Sequence, residues 1–277
     1  MDTGRGIILI ALGNPLYYGY ARNLVATIRA YDPAVSITLF CDDTTKCRIE
    51  PQLSVTVKQL DDKYYTLDGQ FAPFKAKLLI HKFTPYKKTL YLDVDMAWLY
   101  HPTYDIFQEL DGVPFAIANG GAGTTCIWAN ANAMRKAYGE APIYHLYSEC
   151  IYFESGEIFK EALPEFKEPK VNTIPWAGGK CSDEFAFIAA IMKTGILPHK
   201  SEWMPIFWYH RDKRKMAVHP AILTLQYYGY SLGGNHLPEF VKRNYNIVVN
   251  AAFTRLGLRY PQQATDKRKV IAERKNI

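Results

Sequence analysis

Gly6-Ile7-Ile8-Leu9-Ile10-Ala11-Leu12 is a continuous apolar run closed by Gly13-Asn14-Pro15. A run of that length ended by turn-forming residues predicts a strand buried on both faces, as in a parallel sheet. Between Tyr18 and Tyr31 the apolar residues Ala21, Leu24, Val25 and Ile28 recur at helical spacing, and Asp32-Pro33 closes the segment. Val35 to Cys41 reads as a second strand, ended by Asp42-Asp43. Strand, helix and strand in that order predict a right-handed βαβ unit. Further strands are expected at Leu53–Leu60, Thr89–Leu92, Pro114–Ala118 and Thr125–Ala129. Helices are expected at Pro73–Phe83, Asn132–Tyr138 and Asp183–Lys193, the last with Phe185, Ile188, Ala189 and Met192 inward. No period repeats and no linker interrupts the pattern. The expectation is one α/β domain over residues 1–250, with a mostly parallel sheet and a basic tail over residues 251–277.

A 48% hydrophobic and 22% charged composition fits a soluble globular chain. No apolar run approaches the ~20 residues that span a bilayer, and Ile7–Leu12 is too short and poorly flanked for a signal peptide. A cytoplasmic protein is the expectation. The cysteines Cys41, Cys47, Cys126, Cys150 and Cys181 are odd in number and show no CxxC spacing, which argues against a disulfide framework or a zinc site. Charge changes the picture in one place. From Arg255 onward seven Lys/Arg face two acids, so five of the six net positive charges sit there and one on everything before. That distribution argues against a nucleic-acid-binding body and leaves a solvated tail, or peripheral contact with an anionic membrane.

The chemistry concentrates in Leu90-Tyr91-Leu92-Asp93-Val94-Asp95. Strand side chains alternate with period two, so Asp93 and Asp95 are expected on the same side. At the carboxyl end of a parallel strand they face the crevice where such sheets bind ligands. Two carboxylates that close repel unless a cation or a shared proton intervenes. Mg2+ or Mn2+ accepts such oxygens and completes its shell with diphosphate oxygens and water. Two alternatives stand beside this reading. One is a solvated acidic strand end. The other is a haloacid-dehalogenase-type phosphatase with the first Asp as nucleophile, in which the pair usually opens the chain and a second acidic pair follows; here Asp42-Asp43 precedes it.

Four other segments are arranged around this pair: Leu12-Gly13-Asn14-Pro15-Leu16-Tyr17, Lys77 on the preceding helix, Gly178-Gly179-Lys180-Cys181-Ser182-Asp183-Glu184, and Ile206-Phe207-Trp208-Tyr209-His210 followed by Lys213 and Lys215. In this order they resemble the GT-A glycosyltransferases, and within them glycosyltransferase family 8, which includes glycogenin and bacterial galactosyltransferases. The resemblance implies a GT-A fold and a nucleotide-diphosphate sugar as donor, with uridine as the base. It places Leu12, Asn14 and Tyr17 against base and ribose, and Lys77 toward the donor. Asp93 then binds metal or ribose, Asp95 and His210 the metal, and Lys213 or Lys215 the pyrophosphate. Asp183 is implied to hydrogen-bond donor-sugar hydroxyls, and Glu184 to lie near the anomeric carbon. Asn14 as a local cap and Asp183 in the first turn of a helix capped by Ser182 are the structural alternatives. His219 and His236 rival His210.

Departures from the family pattern matter too. Glu184 stands where the family has an amide, and a carboxylate there suits a general base or a charge stabiliser. The Gly and Pro-Trp expected after His210 are absent. Asn119-Gly120-Gly121 replaces the family's Asn-Ser/Ala-Gly. The implied reaction is metal-dependent transfer with retention, in which the acceptor hydroxyl enters a cleft lined partly by Trp176, Asp183 and Glu184. A sugar-phosphate nucleotidyltransferase would want a Gly-rich, Arg- and Lys-bearing turn after the first strand, which is missing. A non-catalytic carbohydrate-binding relative is the remaining alternative. The acceptor, whether glycan, protein, lipid or nucleic acid, is not legible.

Overall fold

The computed structural model describes residues 4–98, 105–198, 222–224 and 239–260. Along the chain the elements are β1 (Arg5–Ala11), α1 (Pro15–Arg29), β2 (Ile37–Cys41), β3 (Thr56–Gln59), β4 (Thr66–Leu67), β5 (Gln70–Phe71), α2 (Phe74–Leu78), β6 (Lys88–Asp93) and β7 (Met96–Trp98). There follow α3 (Ile106–Glu109), β8 (Phe115–Gly123), α4 (Ala131–Tyr138), β9 (Ile143–Phe153), α5 (Glu157–Lys167), α6 (Asp183–Thr194), β10 (Ile222–Thr224) and α7 (Glu239–Arg255). One six-stranded sheet has the order β3-β2-β1-β6-β9-β8. It is mixed and mostly parallel: β2 and β3 run parallel, whereas β9 is antiparallel to both β6 and β8. No helix among the described residues is long and apolar enough to cross a membrane.

The chain divides into two compact units. The first comprises Met1–Ile8, Leu60–Leu92 and Asp105–Met204, the second Leu9–Gln59, Asp93–Tyr104 and Pro205–Ile277. The division cuts through β1 and β6 themselves, which is why no linker marks it in the sequence.

In the second unit, α1 begins at an Asn14 cap with Pro15 at its first position, where the missing N–H costs nothing. Its last residue, Arg29, is buried and acts as a hub. The guanidinium donates to the carbonyls of Val35 (2.7 Å), Leu53 (2.7 Å), Ser54 (2.9 Å) and Asp32 (3.1 Å). α7 packs on α1 and buries Tyr245, Val249, Ala252 and Phe253. Arg22 of α1 lies over the Phe253 ring at 4.7 Å.

The first unit is built on β9. Its register runs Leu92↔Cys150 against β6 and Ile117↔Ile151 against β8. The next β8–β9 pair is Ala118↔Tyr147, so Ser148, Glu149 and Cys150 bulge out of that ladder. Bulges re-aim side chains, and this one carries the polar residues of the site. α5 and α6 pack together, and Phe159 of α5 meets Phe115, Phe153 and Phe187 edge-on with centroids 4.7–5.9 Å apart.

Several expected elements take a different form. The helix over Pro73–Phe83 splits into α2 and a 3-10 turn at Ile80–Lys82, because Leu79 leaves helical geometry (φ −109°). The strand over Leu53–Leu60 begins only at Thr56, since Pro51–Leu53 is a 3-10 turn and Ser54 is left-handed (φ 48°). The strand over Thr125–Ala129 is not formed; only a single bridge, Ala129↔Thr173, remains. Ile127 is 55% exposed there, so the apolar run has no core to face. α7 continues through residue 250, where the tail was expected to begin, and Arg255 lies over the Tyr31 ring at 5.1 Å.

Arg29→Met keeps the apolar stem and strands the carbonyls the guanidinium serves. The expected cost is on the order of 3 kcal/mol, read from the urea midpoint. A loss under about 1 kcal/mol would show that those carbonyls find other partners.

Candidate functional site

Two groups of polar side chains stand out, each within one unit. In the second unit the β1–α1 turn is held by Asp42 at the end of β2. Its carboxylate accepts from the Gly13 backbone N–H (2.8 Å) and from the Tyr18 hydroxyl (2.5 Å). Burial first, and then this hydrogen bond, pushes the Tyr18 hydroxyl far above its ordinary range. Asn14 Oδ1 accepts from Leu16 N at 3.0 Å, so that oxygen is committed to the helix cap. Tyr17 is 37% exposed beside it, and Leu12 is buried.

Asp93 closes β6, while Val94 and Asp95 form a turn leading into β7. The two acids therefore do not share a strand face by simple alternation; the turn sets the direction of Asp95. Both are buried, at 8% and 6% exposure. Behind them Tyr245 lies fully enclosed and accepts from the Asn23 side-chain amide at 3.2 Å. Burial, aided in smaller part by Tyr20, Tyr260 and Asp95, raises its hydroxyl well above the ordinary range against the Asn23 hydrogen bond.

In the first unit Lys77, Ser148 and Asp183 close a triangle. Lys77 Nζ lies 2.9 Å from Asp183 Oδ2 and donates to Ser148 Oγ at 3.1 Å; Ser148 Oγ donates to Asp183 Oδ2 at 2.7 Å. The Phe74 and Tyr91 rings flank the ammonium at 5.3 and 5.4 Å. Ser182 caps α6 by accepting from Phe185 N at 3.0 Å, which fixes Asp183 and Glu184 in its first turn. There the helix dipole favours negative charge.

Glu184 accepts from the Trp128 indole N–H at 3.0 Å. Burial, then the charges of Glu149 and Asp183, lift its carboxyl well above the ordinary 4.5, against the pull of Lys77 and the indole. Trp128 meets Trp176 edge to face at 5.9 Å. Trp176 opens a tight turn in which its N–H and C=O both pair with Gly179. Ala177 (φ 44°) and Gly178 (φ 82°) are left-handed. A Cβ on Gly178 would lie 2.2 Å from the Phe71 carbonyl oxygen, so only glycine fits.

No family model and no curated protein matches the sequence. Among solved structures, the galactosyltransferase LgtC in complex with donor and acceptor sugar analogs aligns over 93% of this chain and 98% of its own, with a TM-score of 0.56 at 12% identity. The chain has the GT-A fold. Weaker likenesses are the WbbM bifunctional glycosyltransferase (TM-score 0.47, 15% identity, 75% of this chain) and mouse xyloside xylosyltransferase 1 (0.46, 12%, 71% of this chain). The chain spans 40% of the length of the former and 84% of the latter. The GT-A fold removes the haloacid-dehalogenase reading of Asp93.

Of the residues singled out from sequence, this GT-A chain brings Lys77, Asp183 and Glu184 into one cluster. Asp93 lies at the end of β6 and Asp95 in the turn that follows, while Leu12, Asn14 and Tyr17 lie at the β1–α1 turn. His210, Lys213 and Lys215 lie outside the described residues, as do His219 and His236. Among the described residues no group of three or more His, Cys, Asp or Glu is placed to hold a metal. Sequence reasoning missed Asp42, Ser148, Glu149 and Trp128. Only the Asp42 position carried a signal, as the acidic residue directly after the second strand.

The raised Glu184 carboxyl has a stability consequence. Unfolded, it loses its proton near the ordinary 4.5; folded, it keeps it to higher pH. Its stability contribution is therefore complete below that value and is lost as pH rises through the folded value. Glu184→Gln should raise the thermal midpoint at about pH 7.5 and match wild type near pH 4.5. A gap constant across that range would show that folding leaves the proton affinity of Glu184 unshifted.

Proposed function

We propose that this chain is a glycosyltransferase moving a sugar from a nucleotide-diphosphate donor, a UDP-sugar by family resemblance, to an acceptor hydroxyl. The observation that carries the reading is the pair of buried carboxylates, Asp93 and Asp95, ending a central strand of a GT-A fold. Two buried acids so close in sequence favour a bound cation or a shared proton, and an oxygen-only donor pair suits Mg2+ or Mn2+. Asp93 and Asp95 would hold the ion, with His210 as the third ligand expected from sequence. When bound, such an ion neutralises charge on the leaving diphosphate.

The chain's own residues supply the rest. Tyr17 and the Asn14 amide nitrogen meet the nucleoside on a turn that Asp42 holds in one shape. Lys213 or Lys215 takes the pyrophosphate. Asp183, ion-paired with Lys77, accepts hydrogen bonds from donor-sugar hydroxyls, which orients the anomeric carbon. Glu184 stands beside it, its proton affinity raised by burial and by the charges of Glu149 and Asp183. Retention needs no enzymatic base, because the leaving phosphate oxygen receives the acceptor's proton.

Titration of UDP with and without Mn2+, followed by thermal midpoint, checks the donor reading. A ligand at ~100 times its dissociation constant stabilises the fold that binds it by about 2.7 kcal/mol. The expected result is a rise that needs Mn2+ and disappears in Asp95→Ala. A chain indifferent to UDP, GDP and other nucleotides in Mn2+ is not a nucleotide-sugar enzyme.

A further inference from the structure

In the second unit, the turn after β2 and the first two turns of α1 border a cavity of about 420 Å3. Pro15, Tyr18 and Arg22 line it from α1, and Thr45, Lys46 and Arg48 from the turn. That volume suits a small molecule. None of these six residues is one that the donor reading uses. The turn is held in one shape by Asp43, whose carboxylate accepts from the Thr45 backbone N–H (2.9 Å) and hydroxyl (2.5 Å). The Asp43 carbonyl accepts from Cys47 N at 3.2 Å. Cys47 is buried, while Lys46 and Arg48 on either side of it are exposed, so one anchored residue presents both cations outwards. Arg22 is fixed on the opposite wall. Glu50 takes its Nε and Nη2, and the Phe253 ring lies 4.7 Å from the guanidinium. Among the described residues nothing accepts from Arg22 Nη1, and the Arg48 side chain has neither a hydrogen bond nor an ion pair.

The acids nearby are already engaged. Glu50 offsets Arg22, Asp43 offsets Lys46 at 2.9 Å, and Asp42 holds the Gly13 N–H and the Tyr18 hydroxyl. Arg48 remains to attract an anion, together with the positive end of α1, a 15-residue helix with no acid in its first turn. Arginine forks and an ammonium arriving from two elements can meet the three terminal oxygens of a phosphate group, whereas a carboxylate offers only two in one plane. The cavity is larger than a bare phosphate needs, which leaves room for the body of a phosphorylated molecule.

We propose that this cavity binds a phosphorylated small molecule of hexose-phosphate size, at a site built from residues other than those assigned to the donor. The proposal does not rest on the glycosyltransferase reading. Glucose 6-phosphate and inorganic phosphate are titrated calorimetrically into the full-length protein without metal or nucleotide, with glucose as the control. Saturable binding is expected for both phosphate compounds and none for glucose. Arg48→Gln should weaken it at least about tenfold, the contribution of one charge-assisted hydrogen bond. Lys46→Gln should weaken it in the same direction. Both positions are exposed, so these variants should unfold at the wild-type temperature. Lys213→Ala and Lys215→Ala in one chain remove the cations expected at the donor pyrophosphate and should leave the binding unchanged. The site is overturned by an absence of binding, by glucose binding equally well, or by undiminished binding in folded Arg48→Gln and Lys46→Gln. Loss of binding in the Lys213→Ala, Lys215→Ala chain overturns it too, and assigns the phosphate to the donor site instead. A chain that binds glucose 6-phosphate through Arg48 but ignores UDP loses the donor reading and keeps this one.

Discussion

Lys77 and Asp183 lie 2.9 Å apart with side chains only 5% exposed, and the first unit is organised around keeping them there. Taking two charges out of water costs several kcal/mol per ion, which mutual attraction offsets only when geometry and further hydrogen bonds are good. Ser148 supplies the hydrogen bonds on both sides, and the rings of Phe74 and Tyr91 supply a favourable face for the ammonium. Meeting those conditions draws α2, β6, β9 and the first turn of α6 to a single point. Glu184 follows Asp183 in the same turn, so its position derives from the pair, while burial first and then the Glu149 charge raise its proton affinity. The bulge in β9 is part of the same arrangement, since it turns Ser148 and Glu149 toward charge that a regular strand would have hidden.

The second unit meets a different demand with a similar economy of means. Asp42 holds the β1–α1 turn through one backbone N–H and one hydroxyl. The cap oxygen of Asn14 then starts α1, while Arg29 at the far end of the same helix gathers carbonyls that would otherwise be stranded in the loops after it. Both ends of α1 are thus set by side chains, and the turn bearing Tyr17 inherits that rigidity.

What could be read from the chain depended on whether its periodicity survived. β1, α1, β2, β6 and α6 were legible because their apolar patterns are unbroken. The Ser182 cap was legible because its signal is local. β9 was not recognised, since Ser148, Glu149 and Cys150 interrupt the apolar run at the bulge that makes the strand useful. Thr125–Ala129 looked like a strand, yet Ile127 points outward and Trp128 is held by Glu184, a partner 56 residues away. Asp93 and Asp95 were singled out as a pair by an alternation argument that the intervening turn defeats. Asp183 and Glu184 illustrate the general limit. Their neighbours in space, Lys77, Ser148, Glu149 and Trp128, lie far away in sequence, so their protonation and orientation belong to the fold.

The packing of α7 on α1 carries an implication for how the protein is made. Asn23 and Tyr245, hydrogen-bonded in the core of the second unit, are separated by 222 residues. At a synthesis rate of about 5–20 residues per second, α1 waits roughly 10–45 seconds for its partner helix to be made. Through that interval the α1 face that will receive Tyr245 and Phe253 stays uncovered on the nascent chain. The second unit therefore closes only late in synthesis, and the period in which the chain is open to aggregation or in need of a chaperone is set by the distance between these two helices.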